Sequence, residues 1–184
     1  MKPQLILSLV CGVCAPLLAQ PSSALLKVDE DAAVLGDAFA AFKNGDQAGG
    51  LDKLKNNPTA FSGTSQGDVQ VIGQLNAVCN WLANERHPRT ADTALLAIGE
   101  VEKVRGKLKG KEAASVLATE GGLYERILGD APKAKASYRL ALQFDARLPE
   151  ALRGLARLQA LDAMIQAKAR ENETLRQRAL QPKP

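Results

Sequence analysis

Apolar residues recur at helical spacing along most of this chain, most clearly from residue 115 to 158. Ala134, Tyr138 and Ala141 fall at i, i+4 and i+7, on one face of a helix. Before them, Gly121, Gly122 and Leu123 set backbone without side chains beside an apolar residue, so a second helix can approach closely, with Gly122 facing Ala134. The turn between the two helices is built from Gly129, Asp130 and Pro132. Asp130 suits an N-cap, and Pro132 stands in the first turn, where its missing N–H costs nothing. A second turn at 145–149 launches Pro149, Glu150, Ala151 and Leu152 in the register of the first helix, so a repeat unit begins again there.

The rest of the chain reads in the same way. Val34, Leu35, Ala38, Phe39 and Phe42 form a stripe that ends at Gly45-Asp46, an echo of Gly129-Asp130. Aligning the two dipeptides sets Phe39 against Leu123 and Leu54 against Tyr138, while Gly49-Gly50 weakens the second helix of this hairpin. A polar loop follows, with Phe61 its one large apolar residue. A helix from about 69 to 85, with Asp68 as N-cap, then carries Val71, Ile72, Leu75, Val78, Cys79, Trp81 and Leu82 and stops at Arg86-His87-Pro88. Its partner spans 90–104. The last helix starts at Pro149, and Leu152, Leu155, Leu158, Leu161 and Ile165 or Met164 are its expected buried positions. Its distal half lacks a stripe and is expected to be exposed or frayed, with a disordered tail at 181–184. No segment alternates as a strand does, so the fold class is all-α. The expected layout is one domain over 25–180, with hairpins at 29–57, 68–104 and 112–145, a loop at 58–67 and a long terminal helix at 149–178.

Gly122, Ala134, Tyr138, Ala141 and the opening Pro149-Glu150-Ala151-Leu152 resemble the tetratricopeptide repeat, a helix-turn-helix unit of about 34 residues. The resemblance covers one repeat at 115–148 and the start of another at 149. It departs at Ala118, where the family carries a Trp or Leu, and at Ala146, where a proline usually ends the second helix. The resemblance implies antiparallel hairpins stacked into a short α-solenoid whose grooved surface binds a protein or peptide partner.

The first residues alter the setting. Met1-Lys2, an apolar run to Ala19, and Gln20-Pro21-Ser22-Ser23-Ala24 have the order of a secretory signal peptide, cleaved after Ala19 or alternatively after Ala24. The run is too short and too broken by Gly and Pro for a stable membrane span. The expected location is therefore the periplasm or the exterior. Cys11 and Cys14 have redox-motif spacing but leave with the leader, so Cys79 is the remaining cysteine, read as a buried small hydrophobe. The formal charge of +4 falls to +3 once Lys2 is removed, too mild a surplus to imply nucleic acid. With 46% hydrophobic and 4% aromatic residues, the composition is that of an Ala- and Leu-rich helical domain.

Candidate chemistry is sparse. His87 is the one histidine, and it sits at a helix end without a Cys or Ser partner. Zinc needs more His or Cys than remain, and Glu100 with Glu102, like Glu171 with Glu173, lie two apart and point to different helix faces. No catalytic, metal or cofactor site is expected. Five basic residues fall between Lys103 and Lys111, and two readings stay open. Lys107, Lys109 and Lys111 form an anion site at the next helix N-terminus, or they solvate a connector whose cations suit the preceding helix C-terminus. Stacked hairpins would also bring Glu125 near Arg153 and Arg157, which lie four apart and can clamp a partner's acidic segment or terminal carboxylate. The alternative is that both arginines are solvated or pair with Glu150 and Asp162. Two functions follow, beside an enzyme assembled from distant residues, for which no motif speaks. One is an exported adaptor that binds a protein or peptide; the other is a structural subunit of an envelope assembly that docks or oligomerises through its terminal helix.

Overall fold

The computed structural model describes residues 23–57 and 64–180, and among them every regular element is a helix. In order these are α1 (Ser23–Asn44), α2 (Gln47–Lys55), α3 (Ser65–Asn84), α4 (Thr90–Arg105), α5 (Gly110–Leu123), a π-helical turn (Tyr124–Leu128), α6 (Ala131–Phe144) and α7 (Pro149–Leu180). The all-α expectation holds. The leader before Ser23, with Cys11 and Cys14, the 58–63 segment of the loop, and the 181–184 tail lie outside the described residues. Helices joined by short turns pack on one another: α1 on α2, α3 on α4, α5 on α6 and α6 on α7, while α5 also rests on α3 and α4. No helix among the described residues is long and apolar enough to cross a membrane.

Turn chemistry sets the hairpin geometry. Gly45 and Gly129 adopt positive φ (89° and 67°), a region open to glycine without a Cβ penalty, and Asp46 and Asp130 then cap α2 and α6. Their carboxylates accept from Gly49 N (2.9 Å) and Lys133 N (3.0 Å), so the two Gly-Asp pairs play the same part in both hairpins. Two expected helix starts need correction. α1 begins at Ser23 rather than at 29. α3 begins at Ser65, one turn earlier than expected, because the Thr64 hydroxyl accepts from Gly67 N at 3.1 Å and takes the capping role assigned to Asp68.

Three apolar clusters follow. Phe42, Leu54, Leu75, Leu82 and Leu123 meet where α1 to α4 adjoin the end of α5. Ile72, Val101, Val104, Leu108 and Val116 join α3, α4 and α5. Leu117, Ala134, Tyr138, Ala141, Ala151 and Leu158 join α5, α6 and α7. Cys79 is buried in the first cluster, and burial pushes its thiol up to about 12.

The third cluster is organised by the Tyr138 ring. A Cβ on Gly121 would lie 2.7 Å from that ring, and one on Gly154 would meet Cδ2 at 2.9 Å with Cε2 and Cζ closer still. The ring is thus held between α5 and α7 where each lacks a side chain. The expected close approach at Gly122 is displaced by one residue: a Cβ there would meet the Arg126 guanidinium at 3.0 Å and the Tyr138 hydroxyl at 3.7 Å. The same ring decides the buried face of α7, which consists of Ala151, Gly154 and Leu158 with Leu155 partly covered. Leu152 and Leu161, expected inside, are 47% and 46% exposed because the stripe turned inward must be small enough for the tyrosine. Ile165 and Met164, one of which was expected inside, are likewise exposed, at 60% and 70%. Beyond Ala169 the described side chains of α7 are exposed as expected, and the helix continues to Leu180.

Two carboxylates that read as surface groups are buried. Glu100 on α4 receives Lys55 from α2 at 2.7 Å and Lys103 at 2.6 Å. Burial pushes its carboxyl up, but the hydrogen bonds from the two lysines outweigh this and leave it below the ordinary carboxylate value. Glu120 on α5, 2% exposed, pairs with Arg105 through one oxygen while the other has no hydrogen-bond partner.

Candidate functional site

The backbone over Tyr124–Leu128, at the end of α5, bonds in a π pattern, and this widened turn carries Glu125 and Arg126 out toward α7. Gly122 leaves the space into which Arg126 folds back. The turn ends at Gly129 and α6 returns, presenting Tyr138; the connector at 145–148 then starts α7, with Glu150, Arg153 and Arg157 on successive turns of its outer side. Between these elements and Asn76 of α3 lies a cavity of about 360 Å³. Its walls bear three guanidinium groups, Arg126, Arg153 and Arg157, against one carboxylate, Glu150, with the hydroxyls of Ser115 and Thr119 beside them.

Glu125 anchors one edge. Its carboxylate accepts from Arg157 Nε and Nη2, both at 2.8 Å, and from the Tyr138 hydroxyl at 2.6 Å. The bidentate fork holds the guanidinium plane fixed. The Arg157 hydrogen bonds hold the Glu125 carboxyl below the ordinary carboxylate value, and the same contacts raise the Arg157 guanidinium. Burial, reinforced by the hydrogen bond to Glu125, pushes the Tyr138 phenol well up, so it stays a neutral donor.

Glu125 and Arg157 therefore meet directly, and Arg153 shares the cavity wall with Arg157, in an arrangement partly different from either expectation. Arg153 pairs with Glu150 at 3.2 Å, while Arg157 pairs with Glu125 rather than Asp162. Asp162 is taken instead by Lys135 of α6. The two arginines do not form a free clamp, because one is already engaged, through Nε and Nη2, by the chain's own carboxylate. Arg126 is a member of the site that periodicity does not disclose. It lines the cavity without an ion pair among the described residues, and only the π register sets it there. Asn76 is equally silent in the sequence: its side-chain oxygen is buried at the cavity without a hydrogen-bond partner.

Lys107, Lys109 and Lys111 lie elsewhere, exposed on the connector around the buried Leu108 and on the first turn of α5. Lys109 takes the N-cap position with no side-chain capping bond. His87 lies in the middle of the α3–α4 turn, its Nδ1 accepting from Arg89 N at 3.3 Å. Among the described residues no three His, Cys, Asp or Glu side chains converge as metal ligands. In comparisons with known proteins, no family model, no curated sequence and no solved structure matches this chain.

Proposed function

We propose that the chain is an exported, tetratricopeptide-like scaffold that binds an acidic peptide segment or a terminal carboxylate in the cavity between α3, the π turn and α7. The observation that carries this reading is the cavity's donor and acceptor set. Arg126 and the loosely held Arg153 offer cationic donors, and the unpartnered Asn76 side-chain oxygen offers an acceptor to a backbone N–H. A peptide supplies both complements at once, an anion and amide hydrogens. The leader-like N-terminus, the two Gly-Asp capped hairpins and the small-residue contacts of α5 to α7 support export and the stacked-hairpin reading.

The test is fluorescence anisotropy with labelled peptides ending in acidic, neutral and amidated residues. Binding should favour the acidic and free-carboxylate probes, and the double variant Arg126→Gln/Arg153→Gln should lose at least tenfold in affinity while its circular dichroism is unchanged; tenfold corresponds to about 1.4 kcal/mol, close to the lower end of what one charge-assisted contact contributes. Equal binding of all probes, or binding indifferent to the double variant, refutes the site. A second reading, docking or oligomerisation through the terminal helix, is favoured by the exposed Met164 and Ile165 on α7.

A further inference from the structure

α7 carries an apolar stripe that runs to Ile165, is interrupted by Lys168 and Asn172 and resumes only at Leu175, and only its first part is covered. With Ala151 as position a of a heptad, the a and d positions are Ala151, Gly154, Leu158, Leu161, Ile165, Lys168, Asn172, Leu175 and Ala179. Ala151, Gly154 and Leu158 are buried against α5 and α6. Leu161, Ile165 and Leu175 continue the same stripe at 46%, 60% and 55% exposure. Past Leu158 the helix runs on for roughly 30 Å at 1.5 Å per residue. A helix that projects this far without tertiary contact is marginal in water, and most helices are stabilised by burying a face.

We infer that the uncovered stripe pairs with the same stripe of a second copy of this chain, antiparallel, about a two-fold axis near residue 170. This deepens the second reading above by naming the occupant and its register. Antiparallel pairing is required by the covered part: in a parallel pair the partner's helix would have to lie along Ala151, Gly154 and Leu158, where α5 and α6 already sit. Antiparallel, each bundle lies at the opposite end of the other's projecting helix, and the uncovered lengths match.

The side chains fit that register. Ile165 meets Leu175 of the other copy at both ends of the seam, while the two polar residues of the stripe, Lys168 and Asn172, meet each other in the middle, where no apolar residue is left facing a polar one. Lys168 also comes beside the other copy's Glu171, and neither has an ion-pair partner within its own chain among the described residues. At the flanks Arg176 comes beside the other copy's Asp162, a carboxylate that Lys135 of its own chain already engages. A central polar layer of this kind fixes register at some cost in affinity.

Light scattering across a concentration series of the purified protein tests the inference. The wild type should pass from monomer to dimer, and Ile165→Asp, at an exposed position, should stay monomeric with unchanged helicity of the bundle. Lys168→Glu and Glu171→Lys should each weaken dimerisation roughly tenfold, because two symmetry-related pairs turn from attractive to repulsive, and the double reversal should restore it. Restoration identifies the antiparallel register, since in a parallel pair residue 168 faces its own equivalent. A chain that is monomeric at every concentration overturns the inference, including one that instead sediments with anionic vesicles or holds a different protein through this face. So does a dimer indifferent to Ile165→Asp, or one that the double reversal fails to restore.

Discussion

Gly154→Ala offers a sharp test of the packing, because helix propensity and tertiary structure predict opposite signs. In the interior of a helix, alanine is favoured over glycine by about 1 kcal/mol. At Gly154 the new Cβ would stand well inside contact distance of the Tyr138 ring, whose Cδ2 is 2.9 Å from it, whereas carbon atoms in contact prefer about 3.5–4.0 Å. The ring cannot slide away, since it is 2% exposed and a Cβ on Gly121, on its other side, would be only 2.7 Å from it. α7 must lift from α6 by about 1 Å to restore that contact distance, loosening Ala151 and Leu158 as well. Overpacking of this kind costs about 3 kcal/mol at the upper end of its range, and subtracting the propensity gain leaves a net loss of about 2 kcal/mol. Gly73→Ala is the control: it lies in the exposed interior of α3, where an added Cβ would meet nothing within 4 Å, so it should stabilise by up to about 1 kcal/mol. Urea unfolding followed by far-ultraviolet circular dichroism reads both. If Gly154→Ala were as stable as the wild type, the Tyr138 ring would not be seated between α5 and α7 and the cavity above it would lose its floor.

Other expectations follow from the buried charges and the thiol. Glu125 and Glu100 have folded carboxyl values below their unfolded one, so their contribution is full above about pH 4.3 and lost as pH falls through the lower folded values. Glu125→Gln should therefore flatten the stability profile below about pH 4.3, the unfolded carboxyl value, which acid titration of the urea midpoint would show; an unchanged profile would mean the Arg157 fork contributes nothing. Arg105→Ala strands the Glu120 carboxylate and should cost about 2 kcal/mol, less than a fully buried pair because Arg105 is 41% exposed, with Arg105→Ala/Glu120→Leu recovering most of it. Loss unchanged in the double variant would contradict this account. Cys79, buried with its thiol held near 12, should react with Ellman's reagent only under denaturing conditions, and fast labelling of the native protein would place it outside the core.

Local chemistry makes the turns legible. Gly45-Asp46 and Gly129-Asp130 announce a left-handed residue and a cap by residue type alone, and both pairs act so in the fold. Tyr138 is legible as a buried position because its face repeats at helical spacing. Its neighbours Gly121 and Gly154 are not, since glycine in a helix pattern carries no sign of which partner it makes room for. The inner face of α7 is hidden for the same reason: its larger residues suggest one face, while a bulky ring on α6 demands the small one. Glu100 and Glu120 stay concealed because a carboxylate reads as solvated until its cations arrive from other helices, Lys55 from α2 and Arg105 from α4. Of the site, the meeting of Glu125 with Arg157 is within reach of an alignment of hairpins. The role of Arg126 depends on a π turn, a one-residue change of register that apolar periodicity does not record.

The Tyr138 ring has a further consequence for how this molecule opens. Because one side chain is wedged between two helices and hydrogen-bonded to the turn that joins the first of them to its own, α5, α6 and the first half of α7 cannot separate in succession. Releasing any one of them exposes the ring and strands its hydroxyl. Amide protons in these three segments should therefore exchange together as one cooperative unit, at a rate set by a shared opening, while those of the projecting part of α7 exchange on their own clock. A slowing of that second clock with rising protein concentration would register a partner's arrival residue by residue, along the same stripe that the bundle leaves bare.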